Sequence, residues 1–591
     1  MLVDGKLVES SKEKANVFAD NLEKKFRHEE NEHFKEDKKV EIENFLGKEN
    51  FEKLFFPSQK RVVEFSMEEL SRAIIEMNAK TSTDPFGMSN KMIKHSSFLM
   101  KERLLEVFNS CLRNKEVPSG WKHSVISMLV KSGQDCKNVT SFRPISMTPC
   151  IARLFERLIL SRLHKHMKHN NILVKNQSGF RKNRQTKDNL MYLTQKAQEG
   201  FNEEKKTLAV FFDVAAAFDK VWHLGVIYKL YLLKVPYYLI SIIWAFLNDR
   251  TFEVKIEGEK SSIRIIICGV PQGGVLSPTL FSIYINDVPL AEGEDEKTLL
   301  FADDIVYILQ YRFKKNRKLI PEAKGIAQSK AQCYLNRLEE WMSTWRLSLE
   351  PHKCAQITFW HAVDKMNLKL YQVAIPEDQS PKFLGIVFDR RLNFSGHLNS
   401  LDAKIRDRMN LLKILAYDKN WKLNRDLLIK IYKTLIRSVL DYACVSLAAL
   451  TVDLRKSFEI IQNNALIIIL NIKLSDEVSI ENLRVMAGVS SIEERHTMLL
   501  DRYYENAIIS ENPLIKDLFM GYKKFKRRNF INENLAVNEA GIVNSEALDL
   551  IRQHNIKCIN SKELYPTTLC RANKIIKDLI TDNYIVGGAI T

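Results

Sequence analysis

The chain has 591 residues, 45% hydrophobic and 27% charged, the balance of an ordinary globular protein long enough for several domains. Lys and Arg number 89 against 72 Asp and Glu, a net charge of +17, which points to an anionic partner and to nucleic acid ahead of a membrane. Apolar runs such as residues 265–268 and 465–470 are too short to cross a bilayer, the nine cysteines form no C-x-x-C pair, and the N-terminus lacks an apolar signal core. A membrane span, a zinc site and a disulfide framework are therefore not expected, and an intracellular, reducing location is.

Residues 1–60 read as a connector with helical content: residues 15–22 have one apolar face, and Lys24 to Lys39 is a run of mixed charge typical of a solvated helix or linker. Ser66 and Glu69 form a capping-box pattern that opens a helix running to about Asn78. Asp84-Pro85-Phe86-Gly87 predicts a loop before a helix near Asn90, and Leu104, Leu105, Val107, Phe108 and Leu112 mark a further buried helical face. Residues 125–131 predict a strand ending in Lys131. Arg143 stands directly before Pro144, which favours extended backbone and a fixed side-chain direction. With Lys131 it reads either as a clamp for phosphate oxygens or as one of two surface cations. Leu154, Phe155, Leu158, Ile159 and Leu163 mark an amphipathic helix leading into the basic loop 177–184, whose Phe180 suits base stacking.

Residues 207–213 predict a strand that delivers Asp213 at its end, followed by a turn into a helix near Lys220. A strand pair over 252–256 and 263–268 enters the glycine-rich segment 269–278, where glycine lets a ligand approach the backbone and Ser277-Pro278 opens a helix. Residues 298–309 hold the strongest signal: Asp303 and Asp304 lie at a tight turn between two apolar, strand-forming runs. Two negative charges there call for a positive partner, and Mg²⁺ is the hard ion that prefers carboxylate oxygens; a simple polar turn is the alternative. Downstream, residues 326–345 read as a long amphipathic helix, and 355–360 and 383–388 as short strands. From about Leu398 the chain is almost wholly helical, with core stripes through Ile405, Met409, Leu412, Ile414 and Leu415, and through Leu427, Leu428, Ile431, Leu435, Val439 and Leu440. The basic, aromatic-interleaved cluster 522–528 reads as a nucleic-acid grip, a nuclear localisation signal or a solvated face.

Strand-Asp213, glycine-rich loop and Asp303-Asp304 hairpin together make a palm-type nucleotidyltransferase layout. That chemistry needs two Mg²⁺ ions held close together, one activating a primer 3′-hydroxyl and one stabilising the triphosphate and departing pyrophosphate.

At these residues the sequence resembles the reverse transcriptases of non-LTR (LINE-type) retrotransposons, with a jockey-like pattern, over roughly residues 60–480. The resemblance is carried in order by Phe142-Arg143-Pro144-Ile145-Ser146, Gln177-Ser178-Gly179-Phe180-Arg181, Phe211-Phe212-Asp213 through Ala217-Phe218-Asp219, Gly269-Val270-Pro271-Gln272-Gly273, Phe301-Ala302-Asp303-Asp304 and Phe383-Leu384-Gly385. It implies an α+β right-hand polymerase fold with fingers, antiparallel-sheet palm and helical thumb. The implied divisions are a connector over 1–60, fingers and palm over 61–390, thumb over 391–480 and a helical C-terminal extension over 481–591.

The resemblance also implies roles. Asp213, Asp303 and Asp304 resemble the catalytic acids that hold two Mg²⁺ ions (or Mn²⁺), with the Val214 carbonyl as a further candidate ligand. Phe218 is similar to the aromatic gate that rejects a ribose 2′-hydroxyl, and Gln272 to the residue that contacts the incoming dNTP. Lys131 and Arg143 match the cations that hold its triphosphate, and Lys353 matches a residue proposed to protonate pyrophosphate. Phe383, Leu384 and Gly385 resemble the primer grip, and Arg181 falls in the loop placed on primer and template. Implied partners are an RNA template, a DNA primer or target and dNTPs, with no membrane. The chain begins in what resembles the segment after the family's apurinic-type endonuclease, so an endonuclease domain or subunit is expected from elsewhere. Action is expected in the nucleus, with ribonucleoprotein assembly in the cytoplasm.

Three positions depart from the pattern: Glu350 stands where the family usually has Asn, residues 84–87 differ from its Pro-Gly-x-Asp-Gly loop, and Leu466-Ile467 lack a common thumb arginine. An RNA-dependent RNA polymerase or group II intron maturase is the rival within polymerases, against which stand the Phe-Ala-Asp-Asp tip and the bulky Phe218. A catalytically silent nucleic-acid-binding descendant is the rival from another class, against which stand the intact Asp213, Asp303, Asp304, Gln272 and Lys131.

Overall fold

The computed structural model describes residues 2–520 apart from 4–5, 28–32, 48–61, 132–133, 292, 316–317, 320–321, 418–422, 443, 445–451, 473–477 and 509–511, so the basic cluster 522–528 lies outside the described residues. The chain forms two compact units. One takes the chain up to Phe180 together with Asp213–Pro289 and Cys333–Glu350; the other takes Arg181–Phe212, Leu290–Gln332 and the chain from Pro351 onward.

The first unit is built on a sheet in which His123–Val130 pairs antiparallel with Phe142–Met147 and parallel with Arg250–Ile256. Glu259–Lys260 and Arg264–Ile266 pair along Arg250–Ile256 in turn. Strand alternation sends Ile126, Phe252, Val254 and Ile266 to one face, where helix Ser11–Lys25 covers them with Phe18, Ala19, Leu22 and Phe26. The rings meet edge-on, Phe18 with Phe142 at 4.8 Å and Phe26 with Phe252 at 5.3 Å. Part of the expected connector is thus a core-forming helix. Burying each of its phenylalanines contributes about 1.5–3 kcal/mol, enough to fix a charged helix onto a sheet.

Helix Met67–Glu76 opens with the expected capping box: the Glu69 N–H donates to Ser66 Oγ at 3.2 Å and the Ser66 N–H to Glu69 Oε2 at 3.0 Å. Glu69 also pairs at 2.8 Å with Arg162 of helix Cys150–His169, tying the two helices together. Helix Phe98–Asn114 buries Leu104, Phe108 and Leu112 but leaves Val107 exposed, a narrower stripe than the sequence pattern implied. After Asp213 the chain stays in turns through Lys220, and the helix begins only at His223.

The second unit holds a four-stranded antiparallel sheet in the order Ala355–Phe359, Lys205–Phe212, Asp304–Arg312, Glu296–Phe301. Residues 305–311 of the central strand are all buried, the mark of a strand covered on both faces. Leu190, Leu193 and Ala197 of helix Thr186–Asn202 share a core with Ala209, Phe211, Val306 and Ile308 of the sheet. Where one strand was expected over 383–388, Lys382–Phe383 and Ile386–Val387 form a hairpin instead. Its turn residues Leu384 (φ +44°) and Gly385 (φ +86°) both take left-handed backbone, the pattern of a type I′ turn.

The helical region of this unit includes Ser395–Tyr417, Arg425–Tyr432, Val452–Leu470 and Ile492–Ile508. Arg425–Tyr432 runs through a π-helical turn, Lys433–Arg437, into Ser438–Asp441. The buried apolar residues there are Leu428, Tyr432, Ile436 and Leu440, every fourth position, while Leu427 is exposed. A wider turn keeps such a repeat on one face, so the stripe is narrower than the sequence suggested. Among the described residues no helix is long and apolar enough to cross a membrane.

Candidate active site

In the second unit Asp303 and Asp304 occupy the expected hairpin. Asp304 pairs with Phe301, leaving Ala302 and Asp303 as a two-residue turn. Ala302 takes φ +57° and Asp303 does not take positive φ, the pattern of a type II′ turn, which an alanine occupies under strain. Asp304 is exposed and Asp303 half-buried. Phe212, the last residue of its strand, pairs with Ile305, and Asp213 is the next residue in the chain. On the outer side of that strand Ala355 pairs with Phe211, so the turn carrying the exposed Lys353 enters the sheet at the same end as Asp303 and Asp304.

The same unit holds the other expected nucleic-acid contacts. Arg181 and Arg184 share a turn, with the Arg184 N–H donating to the Arg181 carbonyl at 3.3 Å. Burial pulls the guanidinium of Arg181 below its usual range, and burial plus the charge of Arg181 pulls that of Arg184 to about 10. Phe383 is buried with its ring 5.6 Å from Phe211. The Leu384 carbonyl accepts from Tyr442 Oη at 2.7 Å, and the same hydroxyl lies 3.4 Å from Thr186 Oγ1. Tyr442 thus ties the Leu384-Gly385 turn to the start of helix Thr186–Asn202. No pattern in the sequence singles it out, because the contact spans 58 residues.

In the first unit the Asp213 carbonyl accepts from the Glu350 N–H at 3.1 Å, Val214 bridges Leu349, and the Ala215 N–H donates to the Ser348 carbonyl at 2.9 Å. This short ladder fixes the backbone of Asp213 while leaving its side chain exposed. Val214 is buried. Phe218 stacks on Phe281 at 4.5 Å with 20° between planes and meets the edge of Phe180 at 6.0 Å, so its ring is held on two sides. The Val270 N–H donates to the Phe218 carbonyl at 2.8 Å, and Gln272 Nε2 donates to Asp219 Oδ1 at 2.8 Å. Burial raises the Asp219 carboxyl above its usual range, while the Gln272 amide acts to lower it. Asp219 closes the Ala217-Phe218-Asp219 motif without a role assigned to it from the sequence, yet its carboxylate holds the Gln272 amide.

Arg143 pairs with Leu129, and the strand ends at Val130, one residue short of the expected Lys131, whose N–H donates to the Ser141 carbonyl at 2.8 Å. Arg143 is exposed, and Lys131 Nζ donates to the Thr140 carbonyl at 3.0 Å.

Exposed or half-exposed carboxylates suit a hard divalent cation, and Asp213, Asp303 and Asp304 offer oxygen donors of that kind. Among the described residues no three His, Cys, Asp or Glu side chains stand grouped closely enough to hold a metal.

Residues 131–388 match the family described as Reverse transcriptase (RNA-dependent DNA polymerase). The RNA-directed DNA polymerase from mobile element jockey of Drosophila melanogaster is 30% identical over 440 residues, covering 73% of this chain and 46% of that protein. Its counterpart from Drosophila funebris is 32% identical over 386 residues, covering 64% and 41%. The probable RNA-directed DNA polymerase from transposon BS of Drosophila melanogaster is 30% identical over 434 residues, covering 71% and 45%. The chain spans a little under half the length of these relatives. A solved structure of telomerase from Candida albicans covers 68% of this chain and 67% of that one at 13% identity and a TM-score of 0.31, too low to argue from. The chain therefore carries a domain of the reverse transcriptase family, similar over much of its length to the RNA-directed DNA polymerases of jockey-type non-LTR elements.

Proposed function

We propose that the chain is the RNA-directed DNA polymerase of a non-LTR mobile element, extending a primer 3′-hydroxyl with dNTPs on an RNA template during target-primed insertion. The observation that carries this reading is the Asp303-Asp304 turn beside a strand that ends in Phe212 and leads directly into Asp213. Asp213, Asp303 and Asp304 would hold two Mg²⁺ ions, with the Val214 carbonyl as a further candidate ligand, and those ions supply acidification of the 3′-hydroxyl and neutralisation of the triphosphate. Lys131 and Arg143 bind the triphosphate oxygens; Arg suits them through its planar fork and Lys as a point charge. Phe218, held between Phe180 and Phe281, excludes a ribose 2′-hydroxyl, and Gln272 lines the nucleotide from a position set by Asp219. Lys353 is placed to give a proton to departing pyrophosphate. The Phe383-Leu384-Gly385 hairpin and Arg181 position primer and template.

In this reading residues 61–390 are fingers and palm, 391–480 thumb, 481–591 a C-terminal extension, and 1–60 a lead-in whose helices join the fingers core. Cleavage of target DNA falls to an endonuclease domain or subunit, and action on chromosomal DNA places the enzyme in the nucleus. The test is Asp303→Ala in Mg²⁺-dependent primer extension on an RNA template. Incorporation should fall to background; undiminished dNTP incorporation would falsify the assignment of the acids.

A further inference from the structure

Three parts of the second unit meet at one buried carboxylate. Asp188 sits in the first turn of helix Thr186–Asn202 and closes its start, where the Gln185 N–H donates to Asp188 Oδ2 at 3.0 Å. Its other two donors come from far along the chain. Tyr503 Oη, on helix Ile492–Ile508, donates to Asp188 Oδ1 at 3.1 Å. Asn512 Nδ2, just before helix Pro513–Met520, donates to Asp188 Oδ2 at 2.8 Å. The direction of that amide is set, because its Oδ1 accepts from the Leu514 N–H at 3.2 Å. Tyr503 and Asn512 are buried as well. Burial raises the Asp188 carboxyl above its usual range, while the donors from Gln185, Tyr503 and Asn512, with the charge of Arg184, act against it.

The place of this joint in the chain gives it more to do than hold helices together. Apolar packing already does that: Leu500, Leu514 and Ile515 share a core with Leu190 and Leu193. A carboxylate adds direction, since each donor must lie along a set line, and a buried one left short of donors is costly. Here that direction is applied at Gln185, the residue that ends the basic loop. Between Arg181 and Gln185 lie Lys182, Asn183 and Arg184, and the Arg184 N–H closes the turn onto the Arg181 carbonyl. Asn183 takes left-handed backbone at φ +62°. Arg181 and Arg184 are half-buried and Lys182 is exposed. The loop is therefore a tight turn clamped at its far end, and a shift at Gln185 moves both guanidinium groups with it. Thr186, the next residue, lies against the Tyr442 hydroxyl that holds the Leu384 carbonyl, so the primer-grip turn is referred to the same helix start.

We propose that Tyr503 and Asn512 are positioning residues of the polymerase, setting through Asp188 the end of the basic loop and with it the placement of Arg181 and Arg184 on the phosphates of the primer–template hybrid. This rests on the reading of Arg181 as a contact to primer and template, and it gives the chain after residue 480 a part in holding nucleic acid that it need not touch. Arginine binds phosphate through a planar fork, so a guanidinium that is turned or displaced loses paired hydrogen bonds, where a lysine would keep most of its attraction. Position therefore matters here beyond charge. A slackened loop weakens binding of the hybrid and leaves the chemical step alone, which kinetics separates as a rise in KM at constant kcat.

The experiment uses the full chain with a fluorescent RNA–DNA primer–template hybrid, reading affinity by anisotropy without dNTPs and single-nucleotide extension beside it. Tyr503→Phe removes only the hydroxyl, and Asn512→Ser keeps an oxygen for the Leu514 N–H while withdrawing the amide donor. Each should weaken hybrid affinity and raise the primer–template KM by about fivefold to tenfold, as for a hydrogen bond lost to a charged group. The kcat and the dNTP KM should stay at parent values. Ile515→Val, which trims a buried contact of the same helix and leaves these hydrogen bonds in place, should lower the unfolding temperature without changing affinity. In a chain carrying Arg181→Gln and Arg184→Gln, Tyr503→Phe should cause no further loss. Parent-like affinity in either Tyr503→Phe or Asn512→Ser, a fall in kcat at unchanged KM, or a full further loss on top of the two arginine changes overturns the proposal. Failure of the polymerase reading alone would appear as absent extension by a parent chain that binds the hybrid and responds to the variants.

Discussion

Gly269→Ala tests how the turn after Asp213 and the glycine-rich loop are joined. Gly269 has φ +91°, and a Cβ there would meet the Asp219 carbonyl oxygen at 2.6 Å, its carbonyl carbon at 2.9 Å and its Cα at 3.0 Å. Those are backbone atoms, which cannot swing aside as a side chain can. Left-handed backbone costs an alanine about 1–2 kcal/mol, and overpacking against a fixed neighbour adds about 1–3 kcal/mol. Gly87→Ala separates the two contributions, since Gly87 has φ +85° with nothing within 4 Å of where a Cβ would lie. Denaturant unfolding should therefore show Gly87→Ala losing about 1–2 kcal/mol and Gly269→Ala losing more by the whole clash. Relief of that clash must shift Asp219, and with it Phe218 and Gln272, through the Val270–Phe218 and Gln272–Asp219 hydrogen bonds. The dNTP KM of Gly269→Ala should rise about tenfold, the equivalent of about 1.4 kcal/mol, while that of Gly87→Ala stays put. Equal stability of the two variants, or a parent-like KM in Gly269→Ala, refutes the coupling.

Phe218→Ala should admit ribonucleotides, improving kcat/KM for an rNTP relative to its dNTP by roughly tenfold to a hundredfold; unchanged sugar discrimination in single-nucleotide extension rules out the gate. Tyr442→Phe removes the hydroxyl that holds the Leu384 carbonyl, a bond contributing about 1 kcal/mol, and should raise the KM for primer–template about fivefold with kcat unchanged. An equal fall in kcat would mean that Tyr442 acts on something besides primer placement. His397 is buried, and burial, followed by the charges of Lys404 and Lys382, pulls its pKa from 6.5 to about 4. Its Nδ1 accepts from the Val387 N–H at 3.4 Å, a bond that requires the neutral ring. Because the folded pKa is depressed, this stabilisation is complete above about pH 6.5 and is lost as pH falls toward 4. The parent chain should therefore lose about 2–3 kcal/mol more than His397→Gln across that window, and parallel pH–stability curves would count against it.

What can be read from the sequence is whatever is settled by neighbours in the chain. The capping box at Ser66 and Glu69 is a four-residue motif and forms as expected. The Asp303-Asp304 hairpin is announced by two apolar runs, and its strands pair with each other across the tightest of turns. The hairpin at 382–387 escapes such a reading because Leu384-Gly385 lacks the Asn-Gly or Asp-Gly signal of a type I′ turn, so an apolar run resembles one strand. The helix after Asp213 starts late because Asp213, Ala215 and Phe218 are held by Glu350, Ser348 and Val270, partners remote in sequence. The part Asp219 plays toward Gln272, and Tyr442 altogether, are invisible in the sequence for the same reason. Helix Ser11–Lys25 has the look of a solvated connector because its charges outnumber its four buried apolar residues, and only the sheet it covers shows why those four decide.

The paired acids at residues 303 and 304 raise a question of stability, since adjacent like charges repel. At about 4 Å that repulsion is about 1 kcal/mol in water but about 4 kcal/mol at the effective dielectric of a protein surface. The fold meets this by keeping the tip wet and the strand dry: Asp304 is exposed and Asp303 half-exposed, while residues 305–311 are all buried. Each large apolar side chain buried there contributes about 1.5–3 kcal/mol, so two or three of them outweigh the repulsion even at its larger value. A strand held that firmly cannot yield at its end, and this is what lets Ala302 keep a strained φ of +57°. The same rigidity fixes the backbone beneath the carboxylates before any ligand arrives. Strain and charge therefore concentrate at one exposed turn because the buried strand behind it is stable enough to hold both.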